Sequence, residues 1–484
     1  MSVGTDSSNP TSYELEILTI VNNEGEGFDI RDMMIECNLY ESITRNFLMG
    51  ELLIGDSVGL KENAKLFGQE SLRLRFKQPT GVNDETDADD VIDQVFRIYK
   101  INQERRIDEA SVMYQVFFAA PELLTSKRTR ISQALRGSMT DMAAKIAEDH
   151  LGISNESKDK KLEPYFELRE KSKGDNYQVI IPNWTINYAI NYLCSEAQGT
   201  SASSGLGESF YFFQTANGGY RIQSLDNMME LEYAGGRPFV YSQAASDKET
   251  QNTSYDETDE SIGSGRRILD YNISSSANVL EATVAGLFAS RQVTLDNTYQ
   301  FYTDKTYSFL DKFHSSKASL NCHPFIRQEP EVTHIGTSAD KGDVEIIGST
   351  EGKAVSDYAD AHLIFSSDSS FVNDDKNKIV QPDHQSHLGS KQLRRASTEL
   401  LKYYTMDLVL SARTDISTGQ VINLEIPPAI PGEEKESKFY GGSYLITELS
   451  WNLRPKSCQL NVKVIKDSVI NQIETTEIDY GDTV

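Results

Sequence analysis

The last quarter of the chain constrains the fold most, because it contains four short strand-like segments, three of which alternate apolar and polar residues along their length. Successive side chains of a strand leave opposite faces of a sheet, so this period of two is what a half-buried antiparallel strand requires. Turn-forming Gly, Pro and Ser residues separate the segments, and a helical stretch at 391–404 precedes them. The pattern predicts a compact β-barrel or sandwich. Its strands are expected at 406–413, 420–427, 443–451 and 458–467.

The same alternation predicts which side chains of these strands are buried. Leu408, Leu424 and Val462 each lie on the apolar face of their segment, so we expect them in the core of a C-terminal barrel. None of the four segments carries a candidate catalytic residue. This part of the chain is therefore expected to serve as a scaffold.

Length and charge bound the possible functions. A chain of 484 residues is too long for one core, which predicts more than one domain. The formal net charge of −26 argues against a basic face that tracks nucleic-acid phosphates and against docking on anionic lipid. It suits a surface past which DNA moves without sticking, and it equally suits simple solubility. The sequence leaves these two interpretations open.

Cysteine usage and hydropathy indicate a reduced protein without a membrane segment. The cysteines are far apart and form no CxxC pair, so buried thiols and folding in a reducing cytosol are expected for Cys37, Cys194, Cys322 and Cys458. No apolar run reaches the roughly 18 residues that a membrane span needs. The first residues lack the apolar core of a secretion signal, so we expect no cleaved signal.

The first region, 12–125, is rich in strand-like segments. Leu72, Leu74 and Phe76 share one side of one segment, as expected for a half-buried strand. An acidic insert at 83–93 is expected to be a solvated hairpin loop. A calcium loop is the alternative, although the insert lacks the Gly and the distal Glu of an EF-hand. The six candidate strands lie at 13–21, 33–43, 47–56, 71–79, 95–106 and 111–124.

Helices are predicted downstream of this region. Ser138 is the expected N-cap of a helix over 138–153, with Gly152 as its stop. A second helix over 183–197 is expected to begin at Asn183.

A hairpin and less regular segments follow the helices. The residues Asn217-Gly218-Gly219 predict a hairpin within 209–229. Residues 266–297 alternate between strand and short helix, whereas 234–265 and 328–390 are expected to be mainly loop.

A search for chemistry finds no phosphate-binding loop, no zinc-protease motif and no hydrolase elbow. The best metal candidate is Asp383 with His384 and His387, because two histidines three residues apart share a face if the segment is helical. The competing interpretation is a polar approach to the helix at 391–404. Further donors that could join such a site are His314, Cys322, His323 and His334.

Paired carboxylates or an aromatic sugar platform would indicate a wall-active protein. Glu36, Glu41 and Glu51 fall on predicted strands, where a structural or solvent-facing role is far more common than catalysis. The aromatic groups 211–213 and 299–302 are more readily explained as strand core and interface residues. No catalytic, metal or cofactor site is therefore assigned, and the chain is not expected to be an enzyme.

The order of several segments resembles that of one known family. Segment 121–153 looks like the barrel exit and helix of contractile-tail hub proteins, and 181–198 with the hairpin at 209–228 continues that likeness. The closing strands YGGSYLITELSWNL (440–453) and CQLNVKV (458–464) are similar to the family's terminal strands. The chain thus resembles the baseplate central hub of T4-like contractile-tail phages. That hub shares its fold with the N-terminal part of type VI secretion spike proteins.

The resemblance implies a β-rich α+β fold in which two similar β-barrel tube domains carry helical and loop insertions. It places the first tube domain at 1–125 and a helical insertion at 126–204. The second tube domain would combine 205–235 with 400–470, around a mixed insertion at 236–399. An acidic tail would occupy 471–484.

The resemblance also implies a structural function. Three copies would form a homotrimeric symmetry adaptor that joins the hexameric tail tube protein to the trimeric central spike or lysozyme-spike protein. Other baseplate proteins and the tape measure are further expected partners, and DNA would pass through the lumen without specific binding. The location would be the tail baseplate of the virion, after synthesis in the host cytoplasm. The alternatives are a tail-associated cell-wall hydrolase or carbohydrate binder, and a metal-dependent protein that uses His384 and His387.

Overall fold

A computed structural model provides the structure of the chain. The residues that it describes are 11–77, 91–107, 111–153, 166–168, 171–172, 177–199, 209–217, 219–230, 238–241, 266–275, 277–296, 301–315, 319–325, 331–337, 344–349, 355–367, 372–373, 379–380, 390–428 and 437–470.

The first part of the chain forms antiparallel strands that are connected mostly by short turns. One short helix, α1 (Leu60–Asn63), and a 3₁₀ turn at Arg31–Met33 interrupt them. The strands are β1 (Glu14–Val21), β2 (Gly27–Asp29), β3 (Met34–Ser42), β4 (Met49–Asp56), β5 (Ser71–Lys77), β6 (Val91–Arg106) and β7 (Val112–Ala119).

A mixed helical and strand unit follows β7. Its helices are α2 (Pro121–Arg128), α3 (Met139–Leu151), α4 (Ile186–Glu196) and α5 (Leu225–Glu230). Its strands are β8 (Arg130–Gly137), β9 (Phe166–Leu168), β10 (Tyr177–Thr185), β11 (Phe210–Thr215) and β12 (Gly219–Ser224). The pair β8–β10 is a two-stranded ribbon, and β11, β12 and β9 form a separate small sheet.

The central part of the chain combines short strands with helices. Its helices are α6 (Val279–Ala285) and α7 (Phe309–Ser315), with 3₁₀ turns at Val355–Asp357 and Ala359–Ala361. The first strands are β13 (Phe239–Tyr241), β14 (Arg267–Ser275), β15 (Ala289–Asp296), β16 (Phe301–Ser308) and β17 (His323–Pro324). The others are β18 (Glu331–Thr337), β19 (Val344–Ser349), β20 (Leu363–Ser367), β21 (Val372–Asn373) and β22 (Ile379–Val380).

The last part confirms the pattern from which the sequence analysis began. Helix α8 (Ser390–Tyr403) precedes four strands that alternate in burial, except at 442–447, where every residue is buried. Leu408, Leu424 and Val462 are at most 1% exposed, so the predicted core positions are confirmed. The strands are β23 (Thr405–Ser411), β24 (Val421–Glu425), β25 (Gly442–Arg454), β26 (Ser457–Ile465) and the short β27 (Ser468–Val469).

One 13-stranded sheet unites both ends of the chain. Its order is β2-β1-β5-β6-β7-β4-β3-β25-β24-β13-β14-β23-β26, with β25 also paired to β26. The second half of this sheet therefore closes into a ring of strands, β25-β24-β13-β14-β23-β26, that returns to β25. The β-rich α+β fold class is confirmed. A single apolar core cluster includes Leu18, Phe96 and Phe118 of the first half with Leu408 and Trp451 of the second.

Two strands from the middle of the chain complete this ring, which differs from the expected composition of a second tube domain. The hairpin β11–β12, predicted to belong there, pairs with β9 instead. Strands β13 and β14, from the expected insertion at 236–399, take places beside β24 and β23. Nearly every residue of the hairpin strands is buried. Their apolar pattern could therefore not indicate which sheet they join.

Most local predictions were right, but three boundaries were wrong, and the segment 328–390, expected to be mainly loop, contains the strands β18, β19 and β20. Helix α3 has Ser138 as its N-cap and Gly152 in the left-handed conformation at its end, as expected. Helix α4, however, begins after Thr185, because β10 continues through a bulge in which Asn183 has a φ of 53°. The predicted strand at 111–124 ends at Ala119, and α2 begins with Pro121.

The third boundary error concerns the acidic insert at 83–93. Its last residues, Val91 to Asp93, belong to strand β6, and Asp93 is only 9% exposed. Arg73 donates to both Asp93 carboxylate oxygens, at 3.1 and 2.9 Å, and this pairing makes burial of the charge tolerable. The remainder of the insert, including any calcium loop, lies outside the described residues.

Candidate functional site: the junction of the two halves

The two halves of the large sheet meet along strands β3 and β25. Antiparallel pairing runs from Ser42 opposite Glu448 to Cys37 opposite Leu453. The first residues of β25 pair with β24, and its other edge pairs with β26. One strand is thus shared by the second ring and the first half, so backbone hydrogen bonds fix the position of each half relative to the other.

A row of polar side chains crosses the solvent-facing side of this seam. Glu51 accepts hydrogen bonds from Tyr40 Oη at 2.7 Å, from Gln115 Nε2 at 2.8 Å and from Asn38 Nδ2 at 3.2 Å. Asn452 of β25 completes the row, since its Nδ2 donates to Asn38 Oδ1 at 2.7 Å. These cross-strand contacts connect β7, β4, β3 and β25 and add to the backbone ladder.

Glu36 belongs to the same row. Its Oε1 accepts from Asn452 Nδ2 at 2.7 Å and from Asn38 Nδ2 at 3.0 Å. Hydrogen bonding, above all from Asn38, lowers the pKa of Glu36 below its usual value, so the carboxylate stays ionised near neutral pH. A general acid needs a raised pKa and access to a substrate. Glu36 has a lowered pKa, and its hydrogen bonds connect β3 with β25.

Glu41 lies on the opposite, buried side of β3. Its side chain accepts from the backbone N–H of Ala216 at 2.8 Å, from the N–H of Thr418 at 2.7 Å and from Thr418 Oγ1 at 2.7 Å. Ala216 belongs to the β11–β12 turn and Thr418 to the loop between β23 and β24. A single carboxyl group therefore ties the first half to the hairpin and to the second ring.

The environment of Glu41 is a compromise between burial and hydrogen bonding. The residue is 2% exposed, and burial raises the pKa of its carboxyl above the usual value. The three donors and the nearby charge of Arg221 act in the opposite direction. Such a group is a plausible general acid by its pKa alone, but its oxygens are already occupied by backbone and hydroxyl donors. These contacts indicate that Glu41 has a structural role.

The loop that carries Thr418 is itself held by buried polar groups. Arg413, only 2% exposed, donates through Nε to Asp415 at 2.8 Å, and its guanidinium lies 5.6 Å from the ring centroid of Phe239 in β13. Trp451 Nε1 of β25 donates to the Arg413 carbonyl oxygen at 2.9 Å. Asn217 of the hairpin turn donates to the Thr414 carbonyl oxygen. The loop is thus hydrogen-bonded to β25 and to the hairpin turn, and it contacts β13.

Other residues singled out from the sequence do not form a site among the described residues. Tyr211 is half-buried and Phe212 and Phe213 are buried, which makes them core residues rather than a sugar platform. His323 is half-buried in β17, and the described residues contain no group of three His, Cys, Asp or Glu side chains placed to hold a metal ion. The candidate site at Asp383, His384 and His387 lies outside the described part of the chain.

Three of the four cysteines are buried, as expected. Cys37, Cys194 and Cys458 are buried free thiols, whereas Cys322 is exposed, contrary to the expectation that all four are buried. Cys322 lies in an irregular segment before β17, where the sequence has no period that could predict burial. Among the described residues, no helix is long and apolar enough to cross a bilayer.

The sequence of β3 contains one signal of the junction, the position of Glu41. Cys37, Leu39 and Glu41 share one face of β3, and Cys37 and Leu39 are fully buried. An acidic residue in phase with an apolar row predicts a buried carboxylate that needs hydrogen-bond partners. Its partners come from 175 and 377 residues away along the chain, and no local pattern identifies them.

Comparison with known proteins finds several similar solved structures. No protein-family model and no curated protein sequence matches it. Among solved structures, it is similar to the tail protein from Neisseria meningitidis MC58, with 10% identity, a TM-score of 0.47, and coverage of 94% of this chain and 97% of that one. It is also similar to the 43 kDa tail protein of prophage MuSo2 from Shewanella oneidensis, with 7% identity, a TM-score of 0.48, and coverage of 93% and 98%.

A third similar structure comes from a secretion system. It is a type VI secretion component of E. coli that is itself structurally similar to the T4 bacteriophage tail proteins gp27 and gp5. The identity is 8% and the TM-score 0.35, with coverage of 90% of this chain and 74% of that one.

Proposed function

We propose that the chain is a structural hub of a phage tail baseplate. Three copies form a homotrimeric adaptor that joins the hexameric tail tube to the trimeric central spike and surrounds the DNA channel. The observation that carries this proposal is the sheet that continues through both halves across β3 and β25. Two strand systems held rigidly side by side in each subunit are what a threefold assembly needs to present six similar positions to a hexameric tube.

The junction supports this proposal because its carboxylates hold neighbouring strands and loops together. The oxygens of Glu36, Glu41 and Glu51 accept hydrogen bonds from side chains or backbone of the junction. A retaining or inverting hydrolase requires two carboxyl groups facing a cleft with room for substrate. Within the described part of the chain, no specific contact favours the alternative of a cell-wall hydrolase or carbohydrate binder, and the proposed role is non-enzymatic.

Exposed apolar side chains are a second support. Strands β16, β15 and β20 form a small sheet whose solvent-facing side presents Tyr302, Leu363 and Phe365, which are 68%, 59% and 70% exposed. Leu295 lies opposite Tyr302 on the same side. Neighbouring large apolar groups left exposed in one subunit mark surfaces that an assembly covers. The proposed location is the baseplate of the virion tail, after synthesis in the host cytoplasm.

The direct test is the mass of the purified chain in solution over a range of concentrations, measured by light scattering after size exclusion. Three times the chain mass of 54.2 kDa, together with threefold particles and a central opening in electron micrographs, is the expected result. Phe365→Asp should weaken the trimer, whereas Val58→Asp, at a 60% exposed position of the first half, should not. A monomer at every concentration that also releases fragments from purified cell wall would overturn the proposal.

A further inference from the structure

The small sheet of β16, β15 and β20 has an apolar side that points to solvent. Pairing places Leu295 of β15 opposite Tyr302 of β16, and Val293 of β15 beside Phe365 of β20. Paired residues lie on the same face of a sheet, and Leu363, two residues before Phe365, shares that face. Tyr302, Leu363 and Phe365 are each more than half exposed. We call these five side chains the apolar face.

The opposite face of the same sheet is polar and buried. Ser290, Gln292 and Thr294 alternate with the apolar row along β15, and each is at most 3% exposed. This arrangement is the reverse of an ordinary surface sheet, in which polar side chains face water and apolar ones face the core. Because the apolar row is the one set outward, the apolar face points to a partner that covers it.

Carboxylates dominate the charge at the apolar face. Asp304 lies opposite Val293 on this side of the sheet. Arg291, on the same side, donates through Nε to Asp304 at 3.0 Å and through Nη1 to Asp360 at 3.0 Å. This guanidinium is therefore shared by two carboxylates, and the side chain of Asp360 is still 85% exposed. A surface that covers the apolar face should supply apolar groups together with positive charge.

The hairpin of β6 and β7 offers such a surface on its solvent-facing side. Lys100 lies opposite Phe117, and its ammonium is 4.8 Å from the centroid of that ring. Arg97 and Arg105 are on the same side, because their partners in β7 are an even number of residues away from Phe117. All three cations are exposed, and so is Val95, two residues before Arg97. We call Val95, Arg97, Lys100, Arg105 and Phe117 the cationic face.

Two other exposed apolar groups of the first half have less suitable surroundings. Val58 and Phe67 lie in the irregular segments on either side of α1. The lysines near them, Lys61 and Lys65, already form ion pairs with glutamates of the same subunit. The cationic face instead combines a regular strand surface with three cations that extend into solvent.

We propose that the apolar face of one copy of the chain packs on the cationic face of the next copy. A threefold assembly needs two different surfaces in each subunit, because every copy contacts the following one through the first and the preceding one through the second. Asp304 and Asp360 then approach the cations of the neighbouring copy, whose Val95 and Phe117 receive the apolar side chains. The inference rests on the homotrimer of the proposed function and adds the contact that closes it.

The dimensions of the two faces agree with this packing. A strand rises about 3.4 Å per residue, so the eight residues of β15 cover about 27 Å. The six residue steps from Ala119 to Met113, the partners of Arg97 and Arg105, cover about 20 Å. Two strand surfaces of similar length can pack face to face, as the layers of a sandwich do at a spacing of about 10 Å.

Cross-linking between two single-site variants of the full chain tests the contact. Cys322→Ser first removes the exposed thiol. Val95→Cys and Phe365→Cys are then placed in separate chains that carry different tags and are produced together. A short bis-maleimide should join the two chains at least five times as often as it joins copies of either variant alone. Val58→Cys produced together with Phe365→Cys is the control and should stay at background.

Light scattering of the same samples separates this contact from the hub function. A trimer without the cross-link between positions 95 and 365 overturns the contact and leaves the hub function standing. A monomer without the cross-link overturns the contact and also removes the oligomer on which the hub function depends. Equal yields from positions 58 and 95 overturn the contact as well, because they indicate random collision.

Charge swaps test the complementarity of the two faces. Arg97→Glu with Lys100→Glu should lower the cross-link yield at least fivefold, and Asp304→Lys with Asp360→Lys in the same chain should restore it. The matched control is Lys127→Glu with Arg128→Glu, which makes the same charge change at exposed positions of α2 and should leave the yield unchanged. Circular dichroism verifies the fold of each variant. Equal losses in both double variants, or no restoration by the swap, would contradict the proposed contact.

Discussion

Lys466 offers the sharpest test of the energetics of the second ring. Its side chain is fully buried, and its ammonium donates to the Phe439 carbonyl oxygen. Four ring centroids lie around it, those of Tyr404 at 4.8 Å, Tyr444 at 4.9 Å, Phe439 at 5.5 Å and Phe325 at 5.6 Å. Burial lowers the pKa of Lys466 from 10.5 to about 7, and the neighbouring charge of Asp467 acts in the opposite direction.

The sign of the pH dependence follows from this lowered pKa. Between pH 7 and pH 10.5 the unfolded chain binds the Lys466 proton and the folded chain releases it, so the free energy of unfolding rises with pH. The lowered pKa corresponds to a loss of stability of about 4 kcal/mol at pH 7 and about 2 kcal/mol at pH 9. The faces of the four rings favour the ammonium, so these figures are upper limits.

Lys466→Met removes the charge and keeps most of the volume. Relative to this variant, the native protein should gain up to about 2 kcal/mol in free energy of unfolding when the pH rises from 7 to 9. The assay is urea unfolding followed by tryptophan fluorescence at pH 7, 8 and 9. Loss of the bond to the Phe439 carbonyl adds a penalty of about 1–3 kcal/mol to the variant that does not change with pH.

The comparison has an internal and an external control. Cys37 and Cys458 are buried thiols with raised pKa values, so their ionisation destabilises both proteins equally toward pH 9 and cancels in the difference. Lys456→Met, at an exposed turn position, should show no pH-dependent difference from the native protein. A constant difference between native protein and Lys466→Met across the three pH values would refute the argument, because it would mean that the buried ammonium keeps its proton throughout.

Other positions give further expected outcomes. Glu41→Ala leaves the N–H groups of Ala216 and Thr418 without their acceptor and should lower the free energy of unfolding by about 2–4 kcal/mol in urea titrations; no loss would mean that the junction does not depend on this carboxyl. In Gly50→Ala the new Cβ would lie 2.3 Å from the Phe118 ring and 2.5 Å from the Asn38 carbonyl oxygen, so we expect a loss of at least about 2 kcal/mol, with the roomier Gly27→Ala as control. Leu424→Asp buries an unpaired charge and should cost at least about 3 kcal/mol by thermal or urea unfolding, whereas the neighbouring half-buried Asn423→Asp should cost less. A thiol reagent should modify one cysteine per folded chain, Cys322, and rapid modification of a second would show that the core around Cys37, Cys194 or Cys458 opens.

Much of the fold follows from short-range pattern. The strands at 405–411 and 457–465 could be predicted because their side chains alternate in burial, and α3 could be predicted because its cap and its stop are local signals. Strand β13 could not, since three residues carry no period and its parallel partners come from distant parts of the chain. The surroundings of Lys466 could not be predicted for the same reason. The aromatic residues around its ammonium come from positions 325, 404, 439 and 444, which are brought together by the fold and not by a local sequence pattern.

The shared strand β25 has a mechanical consequence. Hydrogen bonds between antiparallel strands run perpendicular to the strand direction. A force that slides the first half along β25 therefore loads the bonds between 37–42 and 448–453 together rather than one after another. The polar row outside and Glu41 inside add resistance on both sides of the same seam. A pull along the strands must break this seam as a unit, so a force directed along β25 passes from one half to the other without displacing the two halves.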